Sequence, residues 1–173
     1  MGLLRELVKT TNIYINQYRN LNTSKILLTL VFSTKSLENT IMMKTSIYNK
    51  YGLAAKEAAL IGDNPTEAWE IAVKDFDSES AKVKGCPKNA FLGLCEAGLV
   101  KGIQPGSYFK RKKPNVNKQY AITAVGLLAS DSNVSKNELW EKVKEALNLG
   151  EKRHNSQMDV VLALWDKKLI QLK

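Results

Sequence analysis

The sequence contains one pattern of residues twice, at a spacing of about 70 positions. The matched segments are 51–55 with 120–124, 67–70 with 138–141, and 92–100 with 162–170. Three matches in the same order and at nearly one spacing are hard to obtain by chance. An internal repeat of this length predicts that the chain builds two copies of one small unit.

Each copy carries the signals of short helices. Asn64 is a capping residue before a proline, with Glu67 three positions later, and Ser135 stands in the same relation to Glu138. Apolar residues at helical spacing follow both caps, each with a tryptophan among them. The pattern predicts helices near 50–61, 65–76 and 87–98 in the first copy and near 119–130, 136–147 and 157–168 in the second.

The third helix of each copy has its own boundary signals. Cys86-Pro87 places a proline at a helix start, and Ser156 to Asp159 is typical of a capped start. Gly98 fits a helix stop in the first copy, and Lys168 stands at the equivalent position in the second.

These helices are too short to be stable alone, so their apolar faces must be buried against one another. We expect an all-α protein of two tandem three-helix units on a shared core, since two independent lobes of about 55 residues would be marginally stable. The predicted core residues are Trp69, Phe91, Leu94, Trp140, Leu164 and Trp165. The predicted divisions are an N-terminal extension with an amphipathic helix and an apolar segment (1–47), a first unit (48–103), a basic connector (104–118) and a second unit (119–173).

Charge is concentrated outside the two units. The net charge is +9, of which residues 1–47 carry +4 and the connector +5, while the units carry −1 and +1. In the connector, aromatic residues adjoin a run of cations, and such a pair can release counterions from phosphates and stack on bases. The predicted nucleic-acid-binding residues are Tyr108, Phe109, Lys110, Arg111, Lys112 and Lys113. The alternative is a solvated linker whose two aromatic rings tuck into the core.

Other classes of function remain open. A protein-binding or inhibitory module is the main alternative, because a basic amphipathic arm also suits a partner's groove. A helix-turn-helix is disfavoured, since the segments before the third helices exceed the usual short turn. An enzyme using Cys86 is a lesser alternative: the thiol would sit at a helix start near two lysines, but the only histidine is His154.

The residue types also limit cofactors and location. Two cysteines nine positions apart and a distant histidine lack the spacing of a zinc site, so we expect no metal and no other cofactor. The longest strongly apolar stretch, 26–32, is too short to span a bilayer. We therefore expect a cytoplasmic protein without a membrane partner.

The run Gly85-Cys-Pro-Lys-Asn-Ala-Phe-Leu-Gly-Leu-Cys-Glu-Ala-Gly-Leu-Val-Lys-Gly-Ile103 resembles a signature of a small bacterial protein family. Similarity extends to parts of 51–70 and 155–170, so that it covers most of 43–173. The resemblance implies a bacterial or phage origin. No activity accompanies this family, so the resemblance implies no catalytic residues.

Overall fold

The computed structural model describes residues 48–109 and 114–172. The described residues all belong to one compact unit. The described residues form seven helices: α1 Lys50–Ile61, α2 Pro65–Val73, α3 Glu79–Lys82, α4 Gly85–Glu96, α5 Val116–Ser130, α6 Lys136–Leu147 and α7 Gln157–Asp166. The six predicted helices are confirmed, and the all-α class with them. The predicted N-terminal helix and apolar segment lie outside the described residues.

The predicted caps of the second helices are confirmed. The Asn64 side chain accepts hydrogen bonds from the backbone amides of Thr66 and Glu67 at the start of α2. Ser135 and Glu138 form a reciprocal capping box at the start of α6. The short helix α3 was not predicted, because four residues are too few to show an apolar period.

The ends of α4 and α7 have the same geometry. Gly98 and Lys168 both adopt the left-handed conformation, with φ of 67° and 56°. One residue later, an amide bonds back to the helix in each case: Leu99 N to Leu94 O at 3.0 Å, and Leu169 N to Leu164 O at 2.9 Å. The strand-like residues that follow meet in an antiparallel bridge between Val100 and Ile170.

The two halves of the chain exchange helix contacts. The helix α1 packs extensively on α7, and α5 packs extensively on α4, so the first helix of each half lies on the third helix of the other. These pairs approach closely, since a Cβ at Gly52 in α1 would lie 2.5 Å from the Asp159 carbonyl oxygen, and one at Gly93 in α4 would lie 2.5 Å from Lys118 Cβ. The buried residues therefore form one core. The equivalence of the two halves as repeats stays a prediction supported by these matched local features.

Most of the predicted core residues are buried, including Trp69, Phe91, Leu94 and Leu164. Trp165 is the exception and is only partly buried. It lies in the last turn of α7, where the neighbouring Asp166 is already exposed to solvent. The prediction of a central Trp165 is therefore wrong.

The capping role predicted for Ser156 is also wrong. Its backbone is left-handed, with φ of 70°, and its side chain makes no cap to α7. The Ser156 hydroxyl instead accepts a hydrogen bond from Asn49 Nδ2 at 3.1 Å. Asp159 is buried and accepts from the Asn49 amide and from Lys136 Nζ, each at 2.9 Å. The start of α7 thus holds the starts of α1 and α6 in place.

Candidate functional site

The first half of the connector is fixed to α4 by one carboxylate. Glu96 Oε1 accepts hydrogen bonds from the backbone amides of Tyr108 and Phe109, both at 2.9 Å. Its other oxygen, Oε2, pairs with Lys118 Nζ at 2.9 Å. Glu96 lies at the C-terminal end of α4 and is largely buried, so this anchor is well screened from solvent. The charge of Lys118 is therefore neutralised by Glu96 within the fold.

The far end of the connector is fixed to the same helix. Asn115 caps α5 by accepting from the Lys118 amide at 3.1 Å, and its Nδ2 donates to the Asn89 carbonyl oxygen at 2.9 Å. Lys110, Arg111, Lys112 and Lys113 lie between these anchors and outside the described residues. The fold therefore fixes the described residues on both sides of this segment to α4.

The two aromatic residues of the predicted site are half-buried and pack against the core. The Tyr108 hydroxyl donates to the Gln104 carbonyl oxygen at 2.6 Å, and its ring lies against Gly106, where a Cβ would come within 3.2 Å. This placement corresponds to the alternative in which the rings tuck into the core. Only part of each ring remains available to a ligand, so any stacking on a base would be partial.

A cleft of about 880 Å³ lies between α2, α4 and residues 107–109. Apolar groups from Val83, Leu92, Tyr108 and Phe109 form part of its wall, and Val83 is exposed. The α2 side carries the carboxylates of Asp63, Glu67 and Glu70. Only Glu70 has a cationic partner among the described residues, namely Lys88 at 3.1 Å. The cleft therefore suits a cation with apolar neighbours and disfavours a phosphate.

A second cleft, of about 530 Å³, adjoins Trp140 in the second half. It is lined by Trp140, Glu141, Lys144, Glu151, Lys152, Arg153 and His154. These residues are not evident as a site from the sequence, because Lys152 and Arg153 are separated from the main basic run by some 40 positions. The available signal was a short basic cluster immediately before a helix.

Cys86 is the second residue of α4 and is half-buried. Its sulfur accepts a hydrogen bond from Asn155 Nδ2 at 3.4 Å. The neighbouring His154 packs its ring edge-on against Trp140, with centroids 6.1 Å apart, and burial lowers its pKa. Within residues 48–109 and 114–172, no histidine or carboxylate hydrogen-bonds to the thiol. Cysteine catalysis stays an untested alternative.

The described residues contain no cluster of three or more His, Cys, Asp or Glu side chains that could hold a metal ion. In the part of the chain that the structure describes, no helix has the length and apolarity needed to cross a bilayer.

A match to a protein-family model covers all seven helices that the structure describes. Residues 48–171 match the model of a family of unknown function (DUF6979). The chain belongs to this family. The family segment begins where the N-terminal extension ends and includes both helical halves with the connector between them. Neither the curated proteins nor the solved structures provide a match to the chain.

Proposed function

We propose that the protein binds nucleic acid through the basic connector. The observation that carries this proposal is the double anchorage of the connector on α4, through Glu96 at one end and Asn115 at the other. Four successive cations, Lys110 to Lys113, fall between two fixed points, and residues 104–118 contain no acidic side chain. A short cationic loop held at both ends loses less conformational entropy on binding than a free tail would lose.

The expected binding is electrostatic and tolerant of sequence. Lysine and arginine side chains that contact phosphates release condensed counterions, which accounts for most of the affinity of non-specific binding. The acidic side of the 880 Å³ cleft, formed by Asp63, Glu67 and Glu70, repels phosphates, so the backbone of the ligand should run along the connector outside the cleft. Tyr108 and Phe109 contribute at most the exposed parts of their rings.

A variant with Lys110, Arg111, Lys112 and Lys113 replaced by glutamine tests the proposal. The fluorescence anisotropy of labelled single-stranded and duplex oligonucleotides at low salt should report loss of most binding, with an unchanged circular dichroism spectrum. A matched control replaces four lysines that form no ion pair with any described residue: Lys56, Lys74, Lys167 and Lys168. This control removes the same charge and should retain binding. Equal loss in both variants would indicate a general effect of net charge and would contradict the proposal.

A second candidate function, the binding of a protein partner, is favoured by the same acidic and apolar cleft. The cleft has three carboxylates, of which only Glu70 has a cationic partner among the described residues, and it also contains the exposed Val83, so it complements a lysine- or arginine-rich segment with apolar residues. A triple variant, Asp63→Asn, Glu67→Gln and Glu70→Gln, should lose such a partner and keep nucleic-acid binding. The reverse result, loss of nucleic acid with the partner retained, would exclude this use of the cleft.

A further inference from the structure

The loop before α7, residues 150–154, is fixed by a buried tryptophan. The indole Nε1 of Trp140 donates to the Lys152 carbonyl oxygen at 2.9 Å, and Trp140 is only 4% exposed. The Lys152 amide bonds to the Gly150 carbonyl oxygen at 2.8 Å, which closes a tight turn. The backbone of the loop is thereby held, while the side chains of Lys152 and Arg153 extend into solvent.

The cations of this loop are available to a ligand. Arg153 forms no ion pair with any residue in the described segments, and Lys152 Nζ has only the Tyr120 hydroxyl, at 3.5 Å. Of the other charged groups lining the cleft, Lys144 and Glu141 neutralise each other at 2.7 Å, and Glu151 is a single exposed carboxylate beside the two exposed cations. The net charge of these remaining groups is therefore positive.

The side chain of His154 also lines this cleft. Its Nδ1 is buried and has no hydrogen-bond partner among the described residues. Because that nitrogen is shielded from solvent, it does not donate to a ligand in the open cleft, and the available donors are the side chains of Lys152 and Arg153. A phosphate offers several acceptor oxygens to guanidinium and ammonium donors at once.

The first half of the chain lacks this arrangement 70 positions earlier. Lys82 is neutralised there by Glu79 at 2.6 Å, Val83 stands where Arg153 stands, and Lys84 Nζ lies over the Tyr51 ring at 4.9 Å. Trp69 Nε1, which corresponds to the indole that holds the loop, has no hydrogen-bond partner in the part of the chain that the structure describes. The free cations thus belong to the second half of the repeat.

We propose that the cleft beside Trp140 is a phosphate-binding site in which Lys152 and Arg153 are the donors. Where the phosphate belongs to a nucleic acid, the inference rests on the proposed function, and the loop is then a second contact beside the connector. Where the phosphate is free or part of a small ligand, the site acts independently of the connector.

Nuclear magnetic resonance on the ¹⁵N-labelled full chain tests the site. Three tryptophans give three indole N–H signals, and that of Trp140 reports on the loop because it bonds to Lys152. Inorganic phosphate should shift the Trp140 signal and leave that of Trp69 in place, whereas sodium chloride of equal ionic strength should shift neither. The shift should disappear in Lys152→Gln/Arg153→Gln. No phosphate-specific shift of the Trp140 signal would overturn the inference.

The salt dependence of oligonucleotide binding separates the two proposals. If the loop contacts two phosphates of a duplex, Lys152→Gln/Arg153→Gln should reduce the log–log salt slope by roughly 2. A phosphate-specific shift without this reduction assigns the site to a free phosphate. If the loop variant has a reduced salt slope while the connector variant binds as the wild-type protein does, the connector proposal is contradicted and the phosphate site beside Trp140 is supported. Binding that depends on the connector, with no change of slope in the loop variant and no phosphate-specific indole shift in the wild-type protein, would keep the proposed function and remove this inference.

Discussion

His154 is the only histidine in the chain, and its environment gives it a pH-dependent effect on stability. Burial is the largest cause of its lowered pKa, which the charge of Asp159 partly offsets. The unfolded chain therefore takes up a proton before the folded protein as the pH falls through about 6.5. Stability should be fully present above that value and should decrease between it and the lower folded pKa.

This effect can be isolated by substitution. The urea midpoint of the wild-type protein should fall between pH 7.5 and 5.5, and His154→Gln should lose the part of the decrease that the ring causes. Identical pH profiles for the two proteins would show that the ring titrates equally in the folded and unfolded states.

The helix ends at Gly98 and Lys168 provide a matched pair of substitutions. A residue with a Cβ in the left-handed conformation costs about 1 kcal/mol relative to glycine. We therefore expect Lys168→Gly to raise the free energy of unfolding by about 0.5–1 kcal/mol and Gly98→Ala to lower it by at least as much. Chemical denaturation measures both, and a destabilised Lys168→Gly would mean that the lysine side chain compensates for its backbone.

Helix caps can be predicted from the sequence when the capping side chain bonds to amides a few residues away. Asn64 and Ser135 act within three residues of themselves, and both were predicted. Ser156 has the same local signal, but its hydroxyl bonds to Asn49, more than 100 positions away. The role of Glu96 is not predictable from the sequence for the same reason. Its carboxylate accepts hydrogen bonds from connector amides, and only the tertiary structure brings the connector back to α4.

Between elements, the close contact of α1 with α7 depends on Gly52. A Cβ there would lie 2.5 Å from the Asp159 carbonyl oxygen, which is backbone and cannot rotate away. We expect Gly52→Ala to destabilise the protein by roughly 1–3 kcal/mol through displacement of the two helices.

Gly126 in α5 is the control for this substitution. It is exposed, and a Cβ there would meet nothing within 4 Å, so Gly126→Ala should stabilise by about 0.5–1 kcal/mol. Thermal denaturation of both variants measures the difference. A Gly52→Ala variant as stable as the wild-type protein, or more stable, would show that α1 and α7 leave room for a Cβ between them.

The helix bounds follow from the sequence because caps and apolar periods are local, and α1 and α6 begin and end at the predicted residues. The exchange of helix contacts between halves did not follow from it. Apolar faces show that a helix packs but do not identify its partner, and the decisive feature was the absence of side chains at Gly52 and Gly93. The connector residues were selected from charge, whereas the cleft beside Trp140 depends on a hydrogen bond that only the fold provides.

For the molecule as a whole, the exchanged contacts predict a single cooperative unfolding transition. Trp69 in the first half and Trp140 in the second are both nearly fully buried. Trp69→Ala and Trp140→Ala should each destabilise by roughly 3–5 kcal/mol, the usual cost of removing a large buried aromatic side chain.

Because the core is shared, each substitution should shift the unfolding of both halves together. Circular dichroism and the resolved indole signals of the remaining tryptophans should give coincident midpoints in either variant. Separate transitions, with one half unaffected by loss of the tryptophan in the other, would indicate two independent lobes.

The proposal that the connector binds nucleic acid is tested most directly by salt dependence. Four phosphate contacts from Lys110, Arg111, Lys112 and Lys113 contribute roughly −3 to −4 to the slope of log affinity against log salt concentration. We therefore expect the slope measured by anisotropy on a duplex to flatten by that amount when the four residues are replaced by glutamine, while the four-lysine control keeps the wild-type slope. No detectable binding by the wild-type protein at low salt, or equal slopes for the wild-type and connector variants, would contradict the proposal.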